Sequence, residues 1–375
     1  MLGTLPPLRA LSSYCVELTE ALAPLISLRF LSFKAIYPSF LYPGGALEDD
    51  TDNWAPGHPN LTINRNLTWY NPFSWIIAGM SRADLIHAQW WSLPLFPIYL
   101  VVLGIFRLRG KTIVITVHNV VSHEKSSWYT FVSDLLYRLG HHFIVHSRQN
   151  HEQLIQRHHL APEKITIIPH GPLEHFNTES LSPQTARQRL GLPVNKPLVL
   201  LFGAIRPYKG IDTALQAMSL VKESLPEVHL LIAGKAWMDW KPFQDFIERH
   251  DLGGQIVTHL DFVPSAQVAT YFLAADLVIL PYHHFDSQSG VGAAALAFSK
   301  PMIVTDTGGL PELVQDSRWV VPPGNAVELS KAMTSCLQDR MVLRQMAEQS
   351  DKIRQTFSWK NIAQRTVHLY QDLCP

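Results

Sequence analysis

Two positively charged side chains, Arg206 and Lys209, lie in a short turn that follows a buried-strand pattern at residues 198–202. A turn at the carboxyl end of a parallel strand is a common place for phosphate binding, and fixed cations there can hold a diphosphate. The same cations would stabilise the negative charge that grows on a diphosphate leaving group. We expect Lys209 to be exposed in a cleft, so that its replacement leaves the core intact. The alternative is that both charges are solvated on a surface loop.

A second candidate segment, residues 276–314, has the order strand, polar loop, helix, strand and Gly-Gly turn. Its polar loop contains Asp286 and ends at Gln288, Ser289 and Gly290, just before an Ala-rich helical pattern. The first N–H groups of a helix have no partner inside the helix, so they form an anion site at the edge of the sheet. Together with the two cations, this helix start can hold a diphosphate without a metal ion.

These segments resemble the nucleotide-sugar domain of GT-B fold glycosyltransferases, specifically the retaining GT4 family. The resemblance covers nearly the whole chain and depends on the order and spacing of several motifs. The motifs are Gly203, Lys209-Gly210, Asp286 and Gly308-Gly309-Leu310-Pro311-Glu312, with residues 5–7, 116–119, 168–171, 262–264 and 357–359 elsewhere. The resemblance implies an α/β fold of the GT-B type, in which two doubly wound Rossmann-like domains face each other across a cleft.

The resemblance also implies roles for individual residues. Arg206 and Lys209 would bind the donor diphosphate, and Asp286 would contact hydroxyls of the transferred sugar. His118 would approach that sugar from the first domain. The implied catalytic set is His118, Arg206, Lys209 and Asp286, and the implied donor-binding set is Gly203, Arg206, Lys209, Val263, Gln288, Ser289, Gly290 and Glu312. The structural alternatives are a helix cap for Asp286, a hydrogen-bonded core histidine for His118, and a first-turn helix acid for Glu312.

Several positions depart from the family pattern. Ala294 replaces the second glutamate of the Glu-x7-Glu element, which holds the nucleotide ribose, so ribose binding is expected to be weaker or rearranged. Residues 9–12 replace a Gly-Gly turn near the donor phosphates, and only Met1 and Leu2 precede Gly3 where the family has a complete first strand. The alternative for Ala294 is packing between helices within a run of small residues.

Composition argues against several classes of protein. The chain has 375 residues and a formal net charge of zero, from 31 basic and 31 acidic residues, which argues against nucleic-acid binding through bulk charge. The sequence has 18 histidines, but no cysteines or carboxylates are spaced to complete a tetrahedral set of metal ligands with them. We therefore expect no metal site. The sequence also lacks the Gly-x-Ser-x-Gly elbow of hydrolases and the dinucleotide motif Gly-x-Gly-x-x-Gly.

Cysteine usage and hydropathy bear on the cellular location. Cys15, Cys336 and Cys374 are scattered and do not form a disulfide framework, and the amino terminus lacks the pattern of a signal peptide. We therefore expect a cytoplasmic protein. Residues 93–106 form an apolar run followed by three basic residues. The run is shorter than the ~20 residues of a membrane span, so it predicts either a buried helix or a helix docked on the cytoplasmic face of the inner membrane.

Strand patterns alternate with helical patterns along the chain, which is typical of parallel sheets with helices on both faces. We predict an acceptor-binding Rossmann-like domain over residues 1–176 and a nucleotide-sugar-binding one over residues 177–357. A final helix within residues 358–375 is expected to return to the first domain. Strands are predicted at residues 28–33, 84–88, 112–117, 143–147, 165–168, 198–202, 228–233, 256–260, 277–280 and 302–304.

The predicted function is that of a hexosyltransferase (EC 2.4) that needs no cofactor or metal ion. It would transfer a sugar from a UDP- or GDP-sugar to a hydroxyl of a glycan or lipid-linked acceptor, with retention implied by the family, in surface polysaccharide or glycolipid synthesis. The acceptor is expected near residues 6–13, 69–75 and 118–124. The alternative is a catalytically impaired GT-B protein that binds a sugar or a partner protein, which Ala294 and the short first strand favour.

Overall fold

The computed structural model describes residues 1–8, 11–38, 48, 56–120, 127–177 and 179–374, with the backbone alone for residues 127–129. Contacts divide the chain into two compact units, Met1–Gly171 with Ser358–Pro375, and Pro172–Phe357. Residues 172–176, which the sequence prediction placed in the first domain, lie in the second unit. The Leu173 N–H there donates a hydrogen bond to the Ala293 carbonyl (3.1 Å).

The first unit is built on parallel strands with helices between them. The elements are α1 (Ser12–Leu22), β1 (Leu28–Ala35), β2 (Leu61–Thr68), α2 (Pro72–Gly79), β3 (Leu85–Trp90), α3 (Phe96–Leu108), β4 (Thr112–Val117), α4 (Ser127–Tyr137), β5 (His142–Val145), α5 (Arg148–His158) and β6 (Ile165–Ile167). The strands pair in the orders β1-β2 and β3-β4-β5-β6. The predicted acceptor residues 9, 10 and 121–124 lie outside the described part of the chain.

A single residue near the amino terminus joins these two ladders. Leu2 bridges Leu31 of β1 and Ala88 of β3, in parallel orientation on both sides. Its N–H donates to the His87 carbonyl (2.9 Å), and its carbonyl accepts the Gln89 N–H (3.0 Å). The short first strand expected from the sequence therefore occupies the central position of the sheet with one bridging residue.

The second unit is a six-stranded parallel sheet with the order β12-β11-β10-β7-β8-β9. Its elements are α6 (Pro183–Arg189), β7 (Leu198–Phe202), α7 (Ile211–Ser224), β8 (His229–Ala233), α8 (Lys241–Arg249), β9 (Ile256–His259), α9 (Val268–Ala274), β10 (Leu277–Leu280), α10 (Gly290–Ala297), β11 (Met302–Thr305), β12 (Val320–Val321), α11 (Ala326–Leu337) and α12 (Arg340–Thr356). The interior strands β10 and β11 are buried along their whole length, because helices cover both faces of a parallel sheet. The predicted α/β class with two Rossmann-like domains is confirmed.

The last helix, α13 (Trp359–Leu373), packs on the first unit. Its first residue lies directly over Gly171, where a Cβ would be 2.4 Å from Trp359 Cε2. At its other end the Tyr370 hydroxyl is 2.5 Å from Nδ1 of His87. The helix therefore completes the core of the first unit.

The apolar run at residues 93–106 becomes a short 3-10 turn followed by α3. This helix buries Ile98, Tyr99, Val102, Leu103 and Phe106. These positions favour the buried-helix interpretation, because the large side chains face the core of the unit. Among the residues that the structure describes, no helix is long and apolar enough to cross a membrane.

Candidate active site

The strand order of the second unit reverses between β7 and β10, which are neighbours in the sheet although β8 and β9 separate them in sequence. Open α/β sheets bind ligands outside the carboxyl ends of their strands at such a reversal. The turn of residues 203–210 leaves β7 there, and the loop of residues 281–289 leaves β10. The fold therefore brings together the two segments that carry the predicted diphosphate site.

Lys209 is buried at this point, with 3% of its surface exposed. Its Nζ donates a hydrogen bond to the Phe202 carbonyl (2.7 Å) and lies 5.2 Å from the centre of the Tyr282 ring. A Cβ on Gly203 would lie only 2.9 Å from the Lys209 Nζ and 3.0 Å from Val291 Cγ2 in the first turn of α10. The expectation of an exposed Lys209 is therefore wrong, because the missing side chain of Gly203 lets the lysine fold inward.

The surroundings of Lys209 destabilise its protonated form. Burial, and secondly the charge of Arg206, lower the pKa of the Lys209 ammonium from 10.5 to about 7. A phosphate group nearby would favour the protonated form, since an opposite charge stabilises an ammonium ion. The lysine is therefore a group whose charge responds to an anion in the site, and strongly shifted pKa values of this kind are typical of functional sites.

Arg206 is held by an aromatic side chain from the neighbouring loop. Its guanidinium carbon lies 3.9 Å from the centre of the Trp237 ring, in cation–π contact. The two loops are joined by their backbones, since the Ile205 N–H donates to the Lys235 carbonyl and the Trp237 N–H to the Ile205 carbonyl (both 2.9 Å). Trp237 thus restricts the positions that the guanidinium can take.

Replacing Trp237 by leucine is expected to reduce kcat/KM without unfolding the protein. The lost cation–π contact is worth about 0.5–2 kcal/mol, which corresponds to about a 2- to 30-fold decrease. Trp240→Leu is the matched control, because Trp240 lies in the same loop and packs on Phe243 instead, with ring centres 5.2 Å apart. Equal losses of activity in the two variants would show that the stacking does not position Arg206.

The Gly308-Gly309 turn holds the polar loop that precedes α10. Gly308 has a φ of +57°, and a Cβ there would lie 2.4 Å from the Phe285 carbonyl oxygen and 3.1 Å from that of Ser287. The Gly309 N–H donates to the Ser287 carbonyl (3.3 Å). Only glycine permits this close approach of two backbones, so the turn fixes the start of α10.

Ser289, and not Asp286, caps α10. Its Oγ accepts a hydrogen bond from the Gly292 N–H (3.2 Å). Gln288 and Ser289 are buried, Asp286 is half-buried, and Gly290 is exposed as the first residue of the helix. The helix-cap alternative for Asp286 is therefore wrong, and its carboxylate remains a candidate for binding sugar hydroxyls.

His118 lies in the first unit, at the end of β4, and is 6% exposed. Its Nε2 is 2.9 Å from Oε1 of Gln89, and its Nδ1 is 3.3 Å from Nε2 of His146. The Tyr14 ring contacts it edge-on, with centres 4.8 Å apart. Burial, followed by the neighbouring His146 and His170, holds the pKa of His118 well below 6.5. At neutral pH it is a neutral, hydrogen-bonded core imidazole, which is the structural alternative raised by the sequence.

The histidines near His146 in sequence make separate contacts. His141 pairs with Arg107, His142 with Thr166, and His158 with Asp134. Within the described ranges, no group of three or more His, Cys, Asp or Glu side chains could hold a metal ion. The residues of this region therefore connect strands and helices of the first unit.

Two family models match the chain in succession. Residues 13–172 match the model of Glycosyltransferase Family 4, and residues 182–353 match the model of Glycosyl transferases group 1. The chain belongs to the GT4-type glycosyltransferases. The predicted family is confirmed, and the two matches correspond to the two units.

Similar proteins include several that are named glycosyltransferases. The D-inositol 3-phosphate glycosyltransferase of Corynebacterium aurimucosum is 25% identical over 61% of this chain and 56% of its own length. That of Segniliparus rotundus is 35% identical over 44% of this chain and 36% of its own length, so the chain spans between a third and just over half of these relatives. The structure of Anabaena HepE in complex with UDP has a TM-score of 0.75 at 19% identity, with 99% of this chain and 98% of that chain covered. This likeness shows the shared GT-B fold.

Ala294, which the sequence predicted to replace the second glutamate of the Glu-x7-Glu element, is only 3% exposed. It belongs to the same hydrophobic cluster as Leu280 and Leu310. Nearby in the helix, a Cβ on Gly292 would lie 2.3 Å from Leu313 Cδ1. Small residues are therefore required by close packing along α10, and this favours the packing alternative for Ala294.

The two remaining predicted donor-binding residues lie on different sides of the reversal. Glu312 lies in a 3-10 helix, Leu310–Leu313, directly after the Gly-Gly turn, and is half-buried. Val263 follows β9, which is separated from β7 by β8, and packs against the hydrophobic cluster. Glu312 is therefore connected through the turn to the polar loop, whereas Val263 comes from the edge of the sheet.

Sequence reasoning missed two aromatic residues of the candidate site. Trp237 supports Arg206, and Tyr282 lies under the Lys209 ammonium. Their positions in the sequence could have identified them, because each lies a few residues after the carboxyl end of a buried strand that neighbours β7. Aromatic residues at such positions are good candidates for contacts to cations in the adjoining loops.

Proposed function

We propose that this chain is a hexosyltransferase that transfers a sugar from a nucleoside-diphosphate sugar to an acceptor hydroxyl, with retention at the anomeric carbon. The observation that carries the proposal is the meeting of Arg206, Lys209 and the first turn of α10 at the reversal between β7 and β10. Cationic side chains and the amino-terminal end of a helix in this arrangement suit a diphosphate. They also replace the charge of a divalent cation, so we propose that the reaction is independent of metal ions.

The names of similar proteins support a nucleotide-sugar donor. The curated relatives are called D-inositol 3-phosphate glycosyltransferase, and HepE has been solved with UDP and with UDP-glucose. We therefore propose a UDP-sugar as the first donor to test and a GDP-sugar as its comparison. The acceptor would be a glycan or a lipid-linked sugar, in the synthesis of a surface polysaccharide or glycolipid on the cytoplasmic face of the membrane.

Arg206, Lys209 and Asp286 each have a part in the proposed reaction. Arg206 and Lys209 neutralise the diphosphate, whose charge increases as its bond to the sugar breaks. Asp286 accepts hydrogen bonds from sugar hydroxyls and thereby orients the sugar. His118 carries no charge at neutral pH because its pKa is far below 6.5, so it acts as a hydrogen-bonding group in the first unit rather than as an acid.

Thermal unfolding in the presence of UDP, GDP, ADP and their glucose conjugates tests the donor class. One nucleotide is expected to raise Tm by several degrees, because a ligand at about 100 times its Kd stabilises the folded state by about 2.7 kcal/mol. Sugar transfer is expected to continue at the same rate in EDTA. Loss of transfer in EDTA, with recovery on addition of Mn²⁺ or Mg²⁺, would contradict the metal-independent site.

The second candidate function is a binding protein without catalysis, and Ala294 is the observation that favours it. A nucleotide that raises Tm, combined with no turnover against any glycan or lipid-linked acceptor, would identify such a protein. Slow hydrolysis of the nucleotide sugar provides a sensitive assay here, since it needs no acceptor. Hydrolysis in the wild-type chain that disappears in a Lys209 variant would exclude the non-catalytic alternative.

A further inference from the structure

Helix α2 presents its large apolar side chains to the outside of the molecule. Phe73, Ile76, Ile77 and Met80 are exposed by 74%, 46%, 68% and 56%. Their spacing of three, four and seven residues places them on one face of a helix. The buried residues of α2 are Ser74, Ala78 and Gly79. This orientation is the reverse of an ordinary surface helix, whose apolar face packs on the core.

Specific contacts hold α2 in this orientation. Gly79 lies against α3, where a Cβ would be 2.8 Å from Ile105 Cδ1. The Trp75 indole N–H donates to the Thr68 carbonyl (2.7 Å), and the Ser74 hydroxyl donates to the Asn71 carbonyl (2.6 Å). The helix is therefore anchored through its small and polar side, and rotation would place large side chains against α3.

Two aromatic residues extend the exposed face at the start of α2. Trp69 and Tyr70 are 41% and 60% exposed, and their rings contact each other edge-on with centres 5.5 Å apart. Tryptophan and tyrosine concentrate where hydrocarbon meets water, because one part of each ring system is apolar and another forms hydrogen bonds. We define the docking face as these two residues with Phe73, Ile76, Ile77 and Met80.

Five of the six charged Asp, Glu, Lys and Arg residues within residues 56–120, the segment that contains α2, are basic. Within residues 56–120 the acidic residue is Asp84, whereas the basic residues are Arg65, Arg82, Arg107, Arg109 and Lys111. The Arg109 guanidinium donates to the Gly79 and Ser81 carbonyls (both 2.9 Å), at the carboxyl end of α2. Arg82 is exposed just beyond Met80. This arrangement complements anionic headgroups, which attract basic residues next to an apolar surface.

We propose that the docking face binds the surface of an anionic lipid bilayer, with α2 lying in the plane of the interface. The inference deepens the proposed function, since a lipid-linked acceptor would be presented at that surface. A bilayer fits these observations better than a protein partner, because the face combines exposed large apolar side chains and interfacial aromatics with Arg82 and Arg109 beside them. This face belongs to α2, and not to α3, for which the sequence left membrane docking as one of two alternatives.

The test is flotation of the purified full chain with phosphatidylcholine vesicles, with and without phosphatidylglycerol. The affinity of the double variant Phe73→Ser/Ile77→Ser for anionic vesicles is expected to be at least about tenfold lower than that of the wild type. The reason is that two exposed apolar side chains no longer enter the interface. Val327→Ser/Met341→Ser is the matched control, since these residues are exposed by 51% and 67% in the second unit. The control is expected to bind like the wild type.

The charge contribution is tested separately with Arg82→Gln. A basic residue at an anionic surface contributes about 1 kcal/mol, so vesicle binding is expected to fall about fivefold. The fall should occur with phosphatidylglycerol vesicles and be absent with pure phosphatidylcholine. Equal loss on both vesicle types would overturn the assignment of Arg82 to the basic border.

Two results would overturn the proposal. One is equal vesicle binding by Phe73→Ser/Ile77→Ser and its control. The other is a wild-type chain that does not bind vesicles but forms a dimer, while the double variant is a monomer. That result would show that the docking face binds a second copy of the chain. Ile76→Ser/Met80→Ser repeats the measurement if the first variant has a lowered Tm. The Tm rise with nucleotide, measured on the same samples, separates failure of membrane binding from failure of the donor site.

Discussion

Replacing Lys209 by methionine is expected to reduce kcat/KM for the nucleotide sugar about 100- to 1000-fold, which is the effect of losing about 2.7–4 kcal/mol of charge stabilisation in a transition state. Methionine keeps most of the volume beside Gly203 and Tyr282, so the surrounding packing survives. The assay is steady-state turnover of the donor, together with Tm of the same preparation. Lys235→Met is the matched control, because Lys235 is an exposed lysine in the adjoining loop.

The same lysine should make nucleotide binding depend on pH. In the chain without nucleotide, the pKa of Lys209 is about 7. A bound diphosphate raises this pKa, so nucleotide binding above about pH 7 is accompanied by uptake of a proton. Affinity is therefore expected to be highest below about pH 7 and to weaken as pH rises, by at most about tenfold per pH unit. Calorimetry in buffers of different ionisation enthalpy measures the proton uptake. A pH-independent Kd in the wild type would show that Lys209 does not contact the diphosphate.

The pKa of Lys209 also predicts how stability changes with pH. The pKa in the folded chain is about 7 and the ordinary value is 10.5, so the unfolded chain binds more protons between these values. The contribution of this residue to the free energy of unfolding therefore increases as pH rises from about 7 to about 10.5. Lys209→Met is expected to remove this contribution to the pH dependence and to be at least as stable as the wild type at neutral pH.

Replacing Ala294 by glutamate is expected to lower the free energy of unfolding by about 3 kcal/mol or more, because a carboxylate would be buried without a partner. Ala294 is 3% exposed in a helix whose neighbouring Gly292 already touches Leu313. Nucleotide affinity is not expected to increase. Chemical denaturation and nucleotide titration on the same variant measure both quantities.

Val327→Glu is the control for this substitution, since Val327 is 51% exposed in the first turn of α11, where a negative charge is tolerated. Its stability should remain close to that of the wild type. Tighter nucleotide binding by Ala294→Glu at an unchanged Tm would reverse our interpretation. That outcome would mean that residue 294 faces the ribose and that the family carboxylate can be restored.

The strands show which parts of the fold can be predicted from residue patterns. β4, β7 and β10 have the predicted bounds, because continuous runs of aliphatic residues are typical of parallel strands covered on both faces. β2 was missed because it lacks such a continuous aliphatic run. It is an edge strand with polar residues at every second position, and its side chains are mostly half-exposed. β12 was missed because it has two residues.

The sequence by itself determined the α/β class, the family and the segments that meet at the candidate donor site. Strand runs, the Lys-Gly turn and the Gly-Gly turn are local properties of the chain, so they can be recognised without coordinates. The burial of Lys209, its lowered pKa and the support of Arg206 by Trp237 were decided only by the tertiary structure. The exposure of the large apolar side chains of α2 was also decided only by the tertiary structure. Each of these features depends on contacts between segments far apart in sequence, which no local pattern of residues records.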